Sequence, residues 1–410
     1  MSMHSSVFYL NLALAGLISL SSFSTLAAEI SVTAKFAPDA GNPHNNNFQN
    51  TTPNSGFCQS YPVQCGTSLF SIAFSGTTNQ SSIISGQNDI RKSAMIKVPS
   101  EWRRVDVMGP GGHSRVLEFR IAGFGATYST SFDVREFTGL SGTFQAHGAL
   151  WHGGQWGLAP SPCTSSPVAN AGGNYYRFFW LTPSAVPCGK LAKIDIPDLR
   201  LSAFNLMYEL RAPNPLEMSL GTYTGKLIYE MGPGKDFDFG DLFIPDESSL
   251  TLSFSLEVLH LLKVQFPPGS DRLSLNPQGG WQQWVLHGRR PEKLFGNQNF
   301  QLWASSPFKM QLQCQYPVGD QCGIRNEAED LVPVETRITL PPGLLNATNT
   351  PVNRHLLSVS TPSIFHPTYY VDDGRATLNF EVGKSSVEQM TNHSGSRYVG
   401  NVTVVWDADI

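Results

Sequence analysis

The sequence predicts an all-β protein made of two tandem β-sandwich domains. Three observations carry this: a turn-rich composition, apolar alternation with a period of two, and echoes between the two halves of the chain. The 410 residues include 37 Gly and 28 Pro, with abundant Ser, Thr and Asn, which is the chemistry of short strands joined by many turns. Long amphipathic helical patterns are hard to find. Phe308, Met310, Leu312 and Cys314 alternate with Lys309, Gln311 and Gln313, as a strand with one buried face should. Arg375–Val382 and Leu117–Ile121 repeat the pattern.

The echoes set the domain count. Cys58-Gln-Ser-Tyr-Pro-Val-Gln-Cys65-Gly in the first half answers Cys314-Gln-Tyr-Pro-Val-Gly-Asp-Gln-Cys322-Gly in the second. Tyr223-x-Gly225-x-Leu227-x-Tyr229 answers Tyr398-x-Gly400-x-Val402-x-Val404, and Val32–Pro38 answers Leu261–Pro267 more loosely. Three matches in the same order indicate a tandem of related sandwiches. Much more chain separates Cys58 from Tyr223 than Cys314 from Tyr398, so the first domain carries an insertion that includes Cys163, Cys188 and a run of aromatics. The expected division is a leader over 1–28, a first domain over 29–231, a linker over the Gly-, Pro- and Asp-rich stretch 232–249, and a second domain over 250–410.

The amino-terminal residues bear on compartment. Val7–Leu20 is an apolar run shorter than the ~20 residues a spanning helix needs. A Ser-rich stretch follows, ending Thr25-Leu26-Ala27-Ala28, so the segment reads as a secretory signal peptide. Charged residues are only 15% and the formal net charge is -4. That leaves no basic surplus for nucleic acid and no polybasic membrane anchor. The six cysteines fall as sequence neighbours, Cys58 with Cys65, Cys163 with Cys188 and Cys314 with Cys322. An even count in an exported chain favours disulfides in this neighbour pairing, although spacing alone leaves other connectivities open. No CxxC or paired HxxxH supports zinc.

On these residues the chain resembles the two-domain tip adhesins and minor pilins of Gram-negative chaperone–usher fimbriae. The carriers are the leader, the Cys loop in each half, and the terminal strand Tyr398–Trp406, which ends close to the carboxyl terminus. The resemblance implies immunoglobulin-like sandwiches, the C-terminal one an incomplete pilin sandwich lacking its last strand. A periplasmic chaperone, and later the next fimbrial subunit, would supply that strand, and an outer-membrane usher would be the assembly partner. Tyr398, Gly400, Val402, Val404 and Trp406 would form one wall of the donor-strand groove. The ending Trp406-Asp-Ala-Asp-Ile410 departs from the penultimate aromatic of many pilins. Location would be the fimbrium at the cell surface, reached through the periplasm. Ile30, Val32, Ala34 and Phe36 alternate either as a donor strand for a neighbour or as the first strand of the first domain, and the echo near Leu261 favours the latter.

A receptor surface is expected in the insertion. Trp151, His152, Gln155, Trp156, Asn174, Tyr175 and Arg177 combine aromatic faces that stack on sugars with side chains that bond hydroxyls, for a host glycan or protein receptor. Tyr176, Phe178 and Trp180 alternate like a buried strand. His147 and His152, with a third ligand such as His113, are a weaker metal alternative. Asp236, Asp238 and Asp241 resemble a calcium loop but lack the glycine placement of an EF-hand, so a solvated linker is expected. No cofactor is implied. There is no GxSxG, HExxH, P-loop or dinucleotide fingerprint, so an enzyme is not expected. The rival readings are a structural minor pilin, adaptor or assembly initiator without a receptor, and a secreted glycan-processing enzyme with paired carboxylates.

Overall fold

The structure is a computed structural model that describes residues 27–393 and 395–408. The expected leader, apart from Ala27 and Ala28, lies outside the described residues. No described helix is long and apolar enough to cross a membrane. The architecture is predominantly β, with one large hydrophobic core in each half of the chain and a smaller cluster beside each.

The first domain is organised by β1 (Ala27–Phe36), β2 (Phe70–Thr77), β3 (Arg103–Met108), β4 (Ser114–Ser129), α1 (Val134–Thr138), α2 (Thr143–Ala149), β5 (Thr164–Ala171), β6 (Tyr175–Leu181), β7 (Cys188–Lys190), β8 (Ile196–Arg211), β9 (Gly221–Glu230) and β10 (Ser249–Val258). Its large sheet runs β1-β10-β9-β3-β4-β8-β2, with β6 and then β5 flanking the far half of β4. The long strand β4 changes partner along its length. Ser114–Phe119 pairs with β3 and Gly123–Ser129 pairs with β6, while β8 follows nearly its whole other edge. Gly125 sits where the strands draw together: a Cβ there would fall 2.7 Å from the Phe178 carbonyl and 2.4 Å from the Phe179 ring.

β1 runs parallel to β10, register Ala27↔Ser249 through Phe36↔Val258, and β10 runs antiparallel to β9. The alternation of β1 therefore belongs to the first domain's own sheet. Ile30, Val32, Ala34 and Phe36 are buried under the same core as Leu250, Leu252, Phe254, Leu256 and Val258.

This pairing corrects the expected boundary. Residues 232–249 are not a linker: Phe237, Phe239 and Phe243 are buried in the first core. Gly232, Gly234 and Gly240 have positive φ and fold the segment back on itself, which in sequence looks like a spacer. The Asp residues are not a solvated run either. Asp238 and Asp241 hold Arg91 at 2.7 Å each, and Asp236 holds Arg103. The domains meet at Leu259–Leu261, immediately after β10.

The second domain comprises β11 (Leu262–Gln265), β12 (Leu294–Ala304), β13 (Phe308–Cys314), β14 (Gln321–Arg325), β15 (Leu331–Thr339), β16 (Ser363–Pro367), β17 (Val371–Val382), α3 (Lys384–Thr391) and β18 (Val402–Asp407). One sheet has the order β11-β12-β17-β15-β14, and the facing sheet has β16-β13-β18. Phe300, Leu302, Phe308, Met310, Leu312, Ile338, Phe365 and Leu378 fill the space between them. The expected neighbour disulfides are present: Cys58–Cys65, Cys163–Cys188 and Cys314–Cys322.

Candidate functional site

The two domains end differently, and the difference defines a site. In the first, β10 lies between β9 and β1 and pairs with both. The echoes of β9 and β1 in the second domain are β18 with the residues leading into it, and β11. β18 pairs with β13 from Lys309↔Asp407 to Cys314↔Val402, and β11 pairs with β12 from Leu262↔Ala304 to Gln265↔Gln301. Among the described residues no strand pairs with the other edge of either one. They are the end strands of two sheets that pack on the same core.

Burial agrees with the pairing. In the first domain Ile30, Val32, Ala34 and Phe36 of β1 are at most 6% exposed. In the second, Leu262 and Val264 of β11 and Val402, Val404 and Trp406 of β18 are only half-buried against the core, and Phe266 is 40% exposed. Their rings meet across the seam: Phe266 to Phe300 at 4.9 Å and Phe300 to Trp406 at 5.5 Å. An apolar seam with unpaired backbone on both sides is a template for an added strand.

The expected groove wall needs one correction. Val402, Val404 and Trp406 face the seam, but Tyr398 and Gly400 do not belong to β18. Val399 exchanges two 2.9 Å backbone bonds with Arg325 at the end of β14. Gly400 passes so close to that strand that a Cβ would lie 2.5 Å from the Gly323 carbonyl. In the first domain Gly225 has the same relation to the Asp106 carbonyl, also at 2.5 Å. The shared Tyr-x-Gly is thus a close backbone crossing in both domains. β11, the other end strand on this core, echoes Val32–Phe36 in sequence, which is the signal that points to it.

The aromatic insertion is arranged otherwise than expected. Trp151 and Trp156 are core residues, at 2% and 0% exposure. Trp156 packs on Phe178 at 4.5 Å, Trp180 at 5.0 Å, Tyr128 at 5.2 Å and Trp151 at 5.4 Å. Glycines beside a tryptophan suggest an exposed ring, but here Gly153 and Gly154 turn the chain so that both indoles point inward. The buried Lys190 of β7 donates to the carbonyls of Gly154 at 3.0 Å and Gly153 at 3.4 Å, and burial lowers its ammonium pKa to about 8. The Cys163–Cys188 bridge fastens the same region. Tyr176, Phe178 and Trp180 are buried, as the alternation predicted.

His147 is buried too, with both ring nitrogens engaged. Its Nε2–H donates to the Gly172 carbonyl at 2.8 Å, and its Nδ1 accepts from the Tyr128 hydroxyl at 2.5 Å. Burial lowers the imidazole below its ordinary range. Among the described residues no His, Cys, Asp or Glu cluster has a metal-binding arrangement.

His152, Asn174 and Arg177 are exposed, and Gln155 and Tyr175 half-exposed. Asn174 lies in the β5–β6 turn, whose carbonyls accept from Thr130 N at 2.9 Å and Val134 N at 2.7 Å, which ties the turn to α1. His152 belongs to the loop held on Leu191 and Lys190.

The α1–α2 segment, unnoticed in the sequence, caps the first domain. Val258 lies opposite Gly221 beside the domain junction. From there the strands lead away to Arg103, which lies opposite Phe119, and β4 continues ten more residues to Ser129 at about 3.3 Å each. The cap therefore sits at the end of the sheet farthest from the second domain. Phe137, Leu140 and Phe144 are each 41% exposed there. Their sequence signal is weak, because apolar residues among Gly, Ser and charges show no period.

No protein-family model matches the sequence, and no curated protein matches it. Among solved structures, the chain is similar to the CsuC-CsuE chaperone–tip adhesion subunit pre-assembly complex from archaic chaperone-usher Csu pili of Acinetobacter baumannii. The identity is 9%, the match covers 93% of this chain and 99% of that one, and the TM-score is 0.20. It is also similar to the CupB6 tip adhesin from Pseudomonas aeruginosa, at 10% identity over 82% of this chain and 97% of that one, TM-score 0.24.

Proposed function

We propose that this chain is the adhesive tip subunit of a chaperone–usher fimbria: its second domain is completed by a strand from another protein, and its first domain meets the receptor. The observation that supports the strand-accepting role is the contrast inside the molecule. The first domain holds β10 between its β9 and β1, and the second has the corresponding strands flanking an apolar seam with no strand between them among the described residues. A periplasmic chaperone would fill that seam during export, and the next subunit would fill it in the fibre after release through the usher. The first strand favours the tip over a shaft or adaptor position, because Ile30, Val32, Ala34 and Phe36 are committed to the chain's own sheet. The receptor surface on this reading is the far cap, with Phe137, Leu140 and Phe144 beside Asn174 and Tyr175, rather than the buried indoles.

The test uses β10 as a ready-made donor. A copy of Ser249–Val258, fused after Ile410 through a short flexible turn, should run antiparallel to β18 as β10 does to β9. The expected result is a rise of about 3 kcal/mol in the stability of the second domain, or roughly 6–12 °C in its melting transition. The comparison is a fusion with Asp at the positions of Leu252, Phe254 and Leu256, which should give no rise. Equal melting of the unfused chain and both fusions would remove the strand-accepting role.

A further inference from the structure

β18 has an engaged edge and an open one, so its persistence before a donor arrives calls for an anchor. An edge strand bonded on one side is among the first parts of a domain to open. At the junction end, Asp407 pairs with Lys309 at 2.8 Å. At the other end the chain leaves β13, crosses to β14 at Gly400 and reaches Tyr398. There the Tyr398 hydroxyl donates to the Asp330 carboxylate and accepts from Asn326 Nδ2 at 3.2 Å. The other oxygen of Asp330 accepts from Gln389 Nε2 of α3 at 2.6 Å, and Asp330 N donates to Asn326 Oδ1 at 2.8 Å. His393 Nε2 stands 3.7 Å from the same carboxylate.

One carboxylate, in the turn between β14 and β15, thus gathers the approach to β18, helix α3 and its own turn. The bonds from Tyr398 and Gln389 hold Asp330 below the usual carboxylate range, and burial together with Asp330 raises the Tyr398 hydroxyl above its own. Hydrogen bonds to a charged acceptor are the stronger kind. The crossing at Gly400 is tight, so the strand cannot slide to compensate if Tyr398 is released.

We propose that Asp330 is a positioning residue for strand acceptance: through Tyr398 it keeps β18 in place as a preformed wall of the seam while the seam has no donor. This rests on the strand-accepting role proposed above and adds a named residue that touches no donor. A wall already in register spares the donor the cost of ordering it, which is how preorganisation raises affinity.

The test is site-resolved hydrogen exchange on the full mature chain, wild type against Asp330→Asn and Tyr398→Phe, together with binding of a synthetic Ser249–Val258 peptide. Both variants should lose about 10-fold or more of the protection at amides 402–407, with protection in β4 unchanged, and should bind the peptide about 10-fold more weakly. If either variant leaves protection at 402–407 and peptide affinity at the wild-type level, the proposal is overturned, including where only the turn 326–330 loosens. Failure of the wild type to bind the peptide would instead strike the strand-accepting role, and protection at 402–407 would still report on Asp330.

Discussion

Trp156→Ala separates a core indole from a receptor platform. The side chain is fully buried among Phe178, Trp180, Tyr128 and Trp151, with ring centroids 4.5–5.4 Å away. Its indole N–H has no hydrogen-bond partner among the described residues, so truncation costs packing and leaves a cavity but breaks no side-chain hydrogen bond. The bond from the Trp180 indole to the Trp156 backbone carbonyl, 2.7 Å, survives the change. Buried aromatic-to-Ala changes cost about 3–5 kcal/mol. At roughly 2–4 °C per kcal/mol for a domain of this size, the first domain should melt roughly 6–20 °C lower. Trp156→Phe keeps part of the volume and should fall in between. Differential scanning calorimetry on the full mature chain, with near-ultraviolet circular dichroism, reads the effect. A Trp156→Ala chain that melts within about 2 °C of wild type and keeps its near-ultraviolet spectrum would refute the packing argument and return the ring to the surface.

Two further outcomes follow from the first domain. The Phe137→Ser, Leu140→Ser pair removes half-exposed apolar side chains at the far cap, so it should reduce attachment of the subunit to receptor-bearing cells while changing stability by less than about 1 kcal/mol. Unchanged attachment would exclude the cap. His147 is buried with a lowered pKa, so its neutral form stabilises the fold at pH values above the ordinary imidazole value of about 6.5. As pH falls below that value the unfolded chain takes up the proton first. His147 by itself should then lower stability by up to about 1.4 kcal/mol per pH unit, read as the difference in slope between wild type and His147→Gln in melting at stepped pH.

The all-β class and the alternating strands were legible because each has a local signature in residue type and spacing, whereas the even cysteine count indicated disulfides and left their connectivity open. The domain boundary was not legible. Gly232, Gly234 and Gly240 with three Asp residues have the composition of a spacer, and only the spacing of Phe237 and Phe239 hinted at a buried face. Similarly, Leu250 to Val258 alternates as a strand in either domain, and which sheet it joins depends on β1, far away in sequence. Trp151 and Trp156 show the limit for sites, since residue type gives an indole's chemistry and not the direction it points. The seam was half legible. The terminal strand was visible as one flank, but the other flank requires knowing that β11 ends the facing sheet over the same core.

The parallel pairing of β1 with β10 also constrains the order of events during synthesis. The first strand emerges early, and its partner ends at residue 258, so the sheet cannot close until nearly the whole first domain has appeared. Closing so long a segment adds only slowly to the entropic cost, yet contacts this remote in sequence slow folding and prolong exposure of apolar strands. β10 then leads through Leu259–Leu261 straight into β11, a wall of the seam. Closure of the first domain and delivery of that strand are therefore consecutive steps of chain synthesis.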